Sequence, residues 1–360
     1  MSFSRIFCIS LSLFLLFVAN TIFMSFCVLA TKLHKLRIKS FIKVYFCKKY
    51  KILEKGVVTK STGSWYSVRT ESEEVFECRI KGKFRLKGIK STNPVSVGDY
   101  VSFEVGKDGD NVITEIADRK NYIIRKSINL SKQTHILAAN VDQAMLIATI
   151  NYPVTTTVFI DRFLVSARAY GIPVTIVFNK VDLYSEKDNE QMEKLVGIYE
   201  SIGYDCIKVS ATENVNVDKI SDLLKDKVTV LSGHSGVGKS TLINKVDTNL
   251  HLKTSEISDS HKQGKHTTTF AEMFYLEDGG SIIDTPGIRG YGLINMEKEE
   301  LYHFFPELFE ESQNCKFNNC SHVHEPGCAV VKAVEEGRIS LSRYESYLSL
   351  MCDDENEKYR

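Results

Sequence analysis

Five short runs of β-branched and aromatic residues, set apart by turn residues, fall between residues 56 and 118: 56–58, 65–69, 75–78, 100–105 and 112–116. That pattern predicts a small β-barrel of the oligonucleotide/oligosaccharide-binding (OB) type. After the third run, Arg79, Lys81, Lys83, Arg85 and Lys87 alternate with Ile80, Gly82, Phe84, Leu86 and Gly88. A period of two puts the five cations on one strand face and the apolar residues on the other. Such a stripe suits a phosphate backbone, with salt-sensitive binding; a plain solvated strand face has the same pattern.

Further on the apolar runs become nearly continuous. Residues 172–178, 228–231 and 281–283 read as buried strands of an open α/β sheet, and 241–244 continue a Gly-rich segment as a helix. Near the C-terminus, 329–336 and 341–352 have helical spacing, broken at Gly337. Arg338, Arg343 and Tyr344 are expected on a solvated helix face or against RNA, and the acidic residues 353–357 are expected to fray. At the other end, residues 6–30 contain no charge and are long enough for a membrane span, and a cationic run follows. Residues 1–50 read as a leader. It is a signal anchor, a signal peptide with Val28-Leu29-Ala30 near its cleavage site, or sequence upstream of a true start near Ile52 or Leu53.

The candidate chemistry lies in the order of three motifs. Asn179-Lys180-Val181-Asp182 comes first, Gly233-His234-Ser235-Gly236-Val237-Gly238-Lys239-Ser240 second and Asp284-Thr285-Pro286-Gly287 third. An ordinary GTPase meets the phosphate loop first and the guanine reader last, so the chain resembles a circularly permuted GTPase. The phosphate loop has the required strand, loop and helix context. Its glycines let backbone N–H groups converge on phosphate at the positive end of a helix dipole. Lys239 is expected on the β- and γ-phosphates and the Ser240 hydroxyl on Mg²⁺.

Asn179, Lys180, Val181 and Asp182 follow a strand, where ligands of open α/β sheets bind. A carboxylate only accepts hydrogen bonds, so Asp182 suits the paired N–H donors of guanine, which adenine lacks. Ser210 and Ala211, at the next strand end, resemble the base-contacting Ser-Ala pair of GTPases. In the polar stretch around His266, Thr268 is the preferred threonine to complete the Mg²⁺ shell, with Thr267 its rival. Asp284 is expected to hold Mg²⁺ and Gly287 to donate its N–H to the γ-phosphate. Ile288 stands where Ras-type enzymes carry the water-orienting glutamine, so isolated hydrolysis should be slow and partner-stimulated. Intrinsic rates are roughly 10⁻⁴ s⁻¹ even with the glutamine, and partner groups add about 10⁵-fold. His266 is the candidate to position water, because imidazole works near neutral pH; a loop histidine with no chemical role fits the sequence equally well.

Cys315, Cys320, His322 and Cys328, spaced C-x₄-C-x-H-x₅-C, form a second constellation. Three thiolates and an imidazole make a closed structural zinc shell, one Zn²⁺ per chain. The polar segment around them needs metal to supply its folding free energy. His324 is an alternative ligand, and Cys-x-His favours His322.

Together these residues resemble the RsgA (YjeQ) GTPases, over roughly residues 55–352. Asn93-Pro94, Val97-Gly98-Asp99 and Asn140-Val141-Asp142-Gln143 add to the match. The resemblance implies a cytoplasmic protein that binds the small ribosomal subunit and its rRNA late in assembly and hydrolyses GTP to GDP when stimulated by it. It implies that Gly233 to Ser240 and also Thr241 hold phosphate, and that the histidine before the threonines, His266, is catalytic alongside Thr268 and Lys239. The implied architecture is multi-domain. An OB-type barrel (51–120) precedes a permuted α/β P-loop GTPase domain (121–292) and a zinc-binding α-helical domain (293–360). Because switch II runs straight into the zinc domain, a γ-phosphate-dependent shift is expected to move that domain.

Bulk composition alters little. Two or three domains suit 360 residues, and a net charge of +1 gives no global field for RNA, so affinity must come from local patches. Nine cysteines leave six outside the zinc set; Cys78, Cys206 and Cys352 read as ordinary thiols. A monomer is expected, with a membrane contact only if the leader is real. Two other functions fit the same residues: a membrane-tethered regulatory GTPase, or an RNA-binding assembly protein with incidental hydrolysis.

Overall fold

The computed structural model describes residues 52–80, 94–106, 109–126, 134–250, 252, 271–284 and 297–352. The first five strands are β1 (Ile52–Ser61), β2 (Tyr66–Thr70), β3 (Val75–Ile80), β4 (Tyr100–Val105) and β5 (Asn111–Ile116). They close on themselves, because β1 pairs with both β2 and β4 while β5 joins β3 to β4. Pairing is antiparallel except between β3 and β5. A bulge between Val58 and Lys60 lets β1 bend around the barrel. Val58, Val68, Cys78, Phe103 and Ile113 fill the interior without exposure. Burial also pushes the Cys78 thiol up to about 12, so it is an inert core thiol.

Of the alternating cationic stripe, only Arg79 and Ile80 fall among the described residues; Lys81, Lys83, Arg85 and Lys87 lie outside them. Arg79 is paired with Asp110 at 2.6 Å and sits 4.5 Å over the Trp65 ring. A hairpin of β6 (Tyr122–Lys126) and β7 (Thr134–Ala139) follows the barrel. The connection is pinned by Arg119, which donates to both carboxylate oxygens of buried Asp99 at 2.6 Å.

The central sheet is ordered β10-β9-β8-β11-β13-β12. Its strands are β8 (Gln143–Ala148), β9 (Val174–Phe178), β10 (Asp205–Lys208), β11 (Val228–Ser232), β12 (Glu272–Tyr275) and β13 (Ser281–Asp284). All neighbours are parallel except β12 with β13. Every residue of β8 and β9 is buried, which is why these strands read as unbroken rather than alternating apolar runs. Ala144, Leu146 and Ala148 face the helices α1 (Thr157–Ala169) and α2 (Glu186–Ser201). Met145 and Ile147 face α3 (Val217–Leu224) and α4 (Lys239–Val246). The barrel is stitched to the sheet edge where Lys60 of β1 pairs with Glu272 of β12, backed by a 3.0 Å ion pair.

The C-terminal unit comprises a 3₁₀ segment (Lys298–Phe304), α5 (Pro306–Ser312), α6 (Ala329–Glu335) and α7 (Leu341–Cys352). Its core of Leu301, Phe305, Leu308, Val330, Ala333, Tyr347 and Leu350 also takes in Val165 from α1. One expectation is overturned here. Arg343 neither faces solvent nor is available to RNA: it is 1% exposed and bonded to Asp161 of α1 and Glu307 of α5. Burial alone would pull its guanidinium down, but the two carboxylates outweigh it and hold it above its usual range. Tyr344 is likewise engaged, donating to the His322 carbonyl. Arg338 is half-exposed and paired with Glu336. Among the described residues no helix is long and apolar enough to cross a membrane, and the leader lies outside them.

Candidate nucleotide and metal sites

Because β8, β9 and β11 run parallel, the segments that leave β9 and β11 emerge on one edge of the sheet despite their distance in sequence. Asn179 directly follows β9 and is buried. Its Nδ2 donates to the Val237 carbonyl at 2.8 Å and its Oδ1 accepts from Ala211 N at 3.4 Å. Lys180, in the left-handed region at φ 66°, donates through Nζ to the carbonyls of Gly236 and Tyr152, both at 2.7 Å. Asn179 and Lys180 thus lash the loop at 233–240 to the loop at 209–212.

Asp182 is exposed, and hydroxyls hold both of its oxygens. Ser210 Oγ donates to Oδ1 at 2.6 Å and Thr212 Oγ1 to Oδ2 at 3.1 Å. Each oxygen keeps a lone pair for an incoming donor. Sequence reasoning missed Thr212; the available signal was a second hydroxyl two residues beyond Ser210. It also missed Tyr184, whose hydroxyl accepts from Ile150 N at 2.9 Å and donates to the Asn179 carbonyl at 2.8 Å. If the two hydroxyls set the carboxylate plane, Thr212→Val will weaken GDP binding by roughly three- to tenfold. IDP, which lacks the exocyclic amine, will lose less, and paired titrations of the two nucleotides check this.

The loop after β11 needs its glycines. Gly233 (φ +140°) passes so close to β8 that a Cβ would sit 2.3 Å from the Ile147 carbonyl. Gly238 (φ +93°) caps α4, and a Cβ there would sit 2.4 Å from Asn179 Nδ2. Val237 is fully buried, Ser235 is exposed, and Gly236, Ser240 and Thr241 are half-buried. His234 stacks on Phe159 of α1 with ring centroids 3.8 Å apart. Lys239 curls back over the loop, donating from Nζ to the carbonyls of Gly233 and His234 at 2.7 and 2.8 Å. Burial pulls its ammonium down, opposed by the Asp284 carboxylate. Burial likewise pushes the Asp284 carboxyl up, opposed by Lys239. A half-buried cation and a half-buried anion therefore oppose each other's shifts beside the glycine loop, electrostatics that suit a phosphate and a metal. His266, Thr267, Thr268, Gly287 and Ile288 lie outside the described residues.

Cys315, Cys320, His322 and Cys328 converge, with all ligand atoms within 4.8 Å of one another. Cys315 Sγ lies 3.6 Å from His322 Nδ1 and 3.9 Å from Cys328 Sγ; Cys328 Sγ lies 3.5 Å from the same Nδ1. A tetrahedral zinc with ordinary bond lengths sets S–S at about 3.8 Å and S–N at about 3.5 Å. The donor set fits the metal. Burial pushes the Cys320 thiol up to about 12 and the His322 imidazole down, so a cation is what would favour thiolates here. His324 is exposed and outside the cluster. The loop is braced by Glu325, which accepts from Ser321 N and Oγ and from Val323 N at 2.7, 2.5 and 3.1 Å.

Residues 55–113 match the family model for the RsgA N-terminal domain, and residues 116–294 match the model for the RsgA GTPase. A protein of Phocaeicola vulgatus named small ribosomal subunit biogenesis GTPase RsgA is 59% identical over 306 residues, covering 85% of this chain and 99% of its own. A protein of the same name from Bacteroides fragilis matches to the same extent. Among solved structures, YjeQ from Thermotoga maritima superposes with a TM-score of 0.67 at 34% identity, over 83% of this chain and 98% of that one. YloQ, described as a circularly permuted GTPase, gives 0.64 at 32%, over 86% and 97%.

Proposed function

This chain belongs to the RsgA GTPase family, and on that premise we propose that it is a GTP hydrolase stimulated by the small ribosomal subunit during that subunit's late maturation. The observation that carries the reading is the bond from Asn179 Nδ2 to the Val237 carbonyl, which fastens a guanine-reading segment to a phosphate loop some 58 residues on. The named relatives support the ribosomal partner.

In this reading Asp182 accepts the two guanine N–H donors, with Ser210 and Thr212 fixing its plane. Asn179, Lys180 and Val181 shape the base pocket, and Ala211 N, held by Asn179, faces it. The backbone N–H groups of residues 233–241 cradle the phosphates. Lys239 leaves its carbonyl partners for the β- and γ-oxygens as those charges arrive, an exchange that keeps a half-buried ammonium paired. Ser240, Asp284 and Thr268 hold Mg²⁺, which when bound neutralises charge between the phosphates. Gly287 senses the γ-phosphate and His266 orients the attacking water. Cys315, Cys320, His322 and Cys328 hold a structural Zn²⁺. The barrel contributes rRNA binding, and the protein works as a cytoplasmic monomer released when GTP is hydrolysed.

GTP turnover measured with and without purified small subunits tests this. Stimulation of roughly 10²-fold or more is expected, well inside what partner groups supply. Subunit binding without stimulation would favour an RNA-binding assembly protein with incidental hydrolysis. Absence of any interaction would favour a GTPase that does not act on ribosomes.

A further inference from the structure

Helix α1 touches the phosphate loop at its start and the C-terminal core along its middle. Phe159, in its first turn, stacks on His234 with the ring planes 29° apart. Two residues on, Asp161 is fully buried. Its Oδ1 accepts from Arg343 Nη1 at 2.5 Å and from the Tyr199 hydroxyl at 2.9 Å. Arg343 belongs to α7, where its Nε also donates to Glu307 Oε1 at 2.6 Å and its guanidinium lies 4.5 Å over the Phe305 ring. The same helix reaches the metal loop. Tyr344 donates to the His322 carbonyl at 2.8 Å and Tyr347 to the Ser321 carbonyl at 2.6 Å. Contacts therefore run unbroken from the Cys₃His cluster through α7 and α1 to the loop that faces phosphate.

The buried ion pair is what makes this more than shared packing. Apolar helix faces can slide by fractions of an ångström, whereas a desolvated guanidinium is tolerated only while its partners stay in hydrogen-bonding geometry. Arg343 thus fixes the rotation and height of α7 against α1. The tyrosine bonds in turn fix α7 against the backbone of His322 and its neighbour Ser321. A metal loop that loses its ion loses those carbonyl positions, α7 is released, and α1 no longer presses Phe159 on His234.

We infer that Arg343 is a positioning residue for the phosphate loop, acting through Asp161 and Phe159, and that it couples zinc occupancy to nucleotide affinity. This rests on the reading of the two sites as zinc and guanine-nucleotide sites. Linkage requires the coupling to be reciprocal, with the same factor in both directions.

The test titrates GDP into the full chain, zinc-loaded and after chelator extraction, and measures zinc affinity with and without saturating GDP. Zinc removal is expected to weaken GDP binding by about tenfold, within the ordinary range of allosteric coupling, and GDP to tighten zinc by the same factor. Phe159→Leu should bring the coupling factor close to one while leaving zinc affinity without GDP unchanged. Arg343→Lys, which keeps the charge but not the fork, should lower the factor too; if that variant does not fold, Phe159→Leu still decides. Zinc-independent GDP binding in the wild type, or full coupling in Phe159→Leu, overturns the inference while leaving both sites standing. A wild type that binds no GDP or no zinc instead sinks the site reading on which it rests.

Discussion

Asp182→Asn will exchange the guanine site for a xanthine site. In the native chain both oxygens of the exposed carboxylate accept, one from Ser210 and one from Thr212, and each retains a lone pair for a further donor. Guanine presents two adjacent N–H donors, which only a paired acceptor can satisfy. An asparagine offers one oxygen and one NH₂, so its donor meets guanine's exocyclic amine head-on. Xanthine carries a carbonyl at that position and accepts from the new NH₂. Hydrogen bonds to a charged group are worth about 1.5–3 kcal/mol each, so losing the pair weakens GDP by roughly 10²- to 10⁴-fold. Competition between GDP and XDP for the variant will show reversed preference; a retained guanine preference would mean that Asp182 does not read the base.

Cys320→Ser will release the zinc and melt the C-terminal unit. Cys320 is a core residue as well as a candidate ligand, packed with Leu301, Phe305, Leu308 and Tyr347. The helices α5 and α6 are only seven residues long, too short to persist alone. Structural zinc contributes roughly 10–16 kcal/mol of apparent folding free energy in small finger peptides. This unit has some apolar core of its own, so the loss here should be smaller but still enough to unfold it. Metal analysis should fall from one zinc per chain to none, and a strong chelator should remove helical signal from the wild type. Superimposable melting of the wild type with and without chelator would contradict this.

Much of the site was legible because its chemistry is local. The phosphate loop, the Asn179 to Asp182 segment and the cysteine spacing each lie within one turn or loop, where sequence spacing is spatial spacing. The buried strands of the central sheet were legible because both faces are covered, which leaves a continuous apolar run. What could not be read depends on partners far along the chain. The helical spacing of residues 341–352 gave no hint that Asp161, 182 residues earlier, would draw Arg343 inside. Thr212 looks like an ordinary loop polar residue until the fold brings it to Asp182, and Tyr184 does until the fold brings Ile150 N to its hydroxyl. Nor does the sequence reveal that β1 leaves its own barrel to meet β12, since a single cross-strand pair, Lys60 with Glu272, makes that junction.

All of these readings depend on Asn179, Asp182 and the loop from Gly233 to Ser240 forming one guanine-nucleotide pocket. Calorimetric titration of the purified chain with GDP and with ADP, in magnesium, tests that directly. Binding of one GDP per chain, with ADP weaker by roughly 10²-fold or more, is the predicted result. Equal affinities, or a preference for ADP, would contradict it.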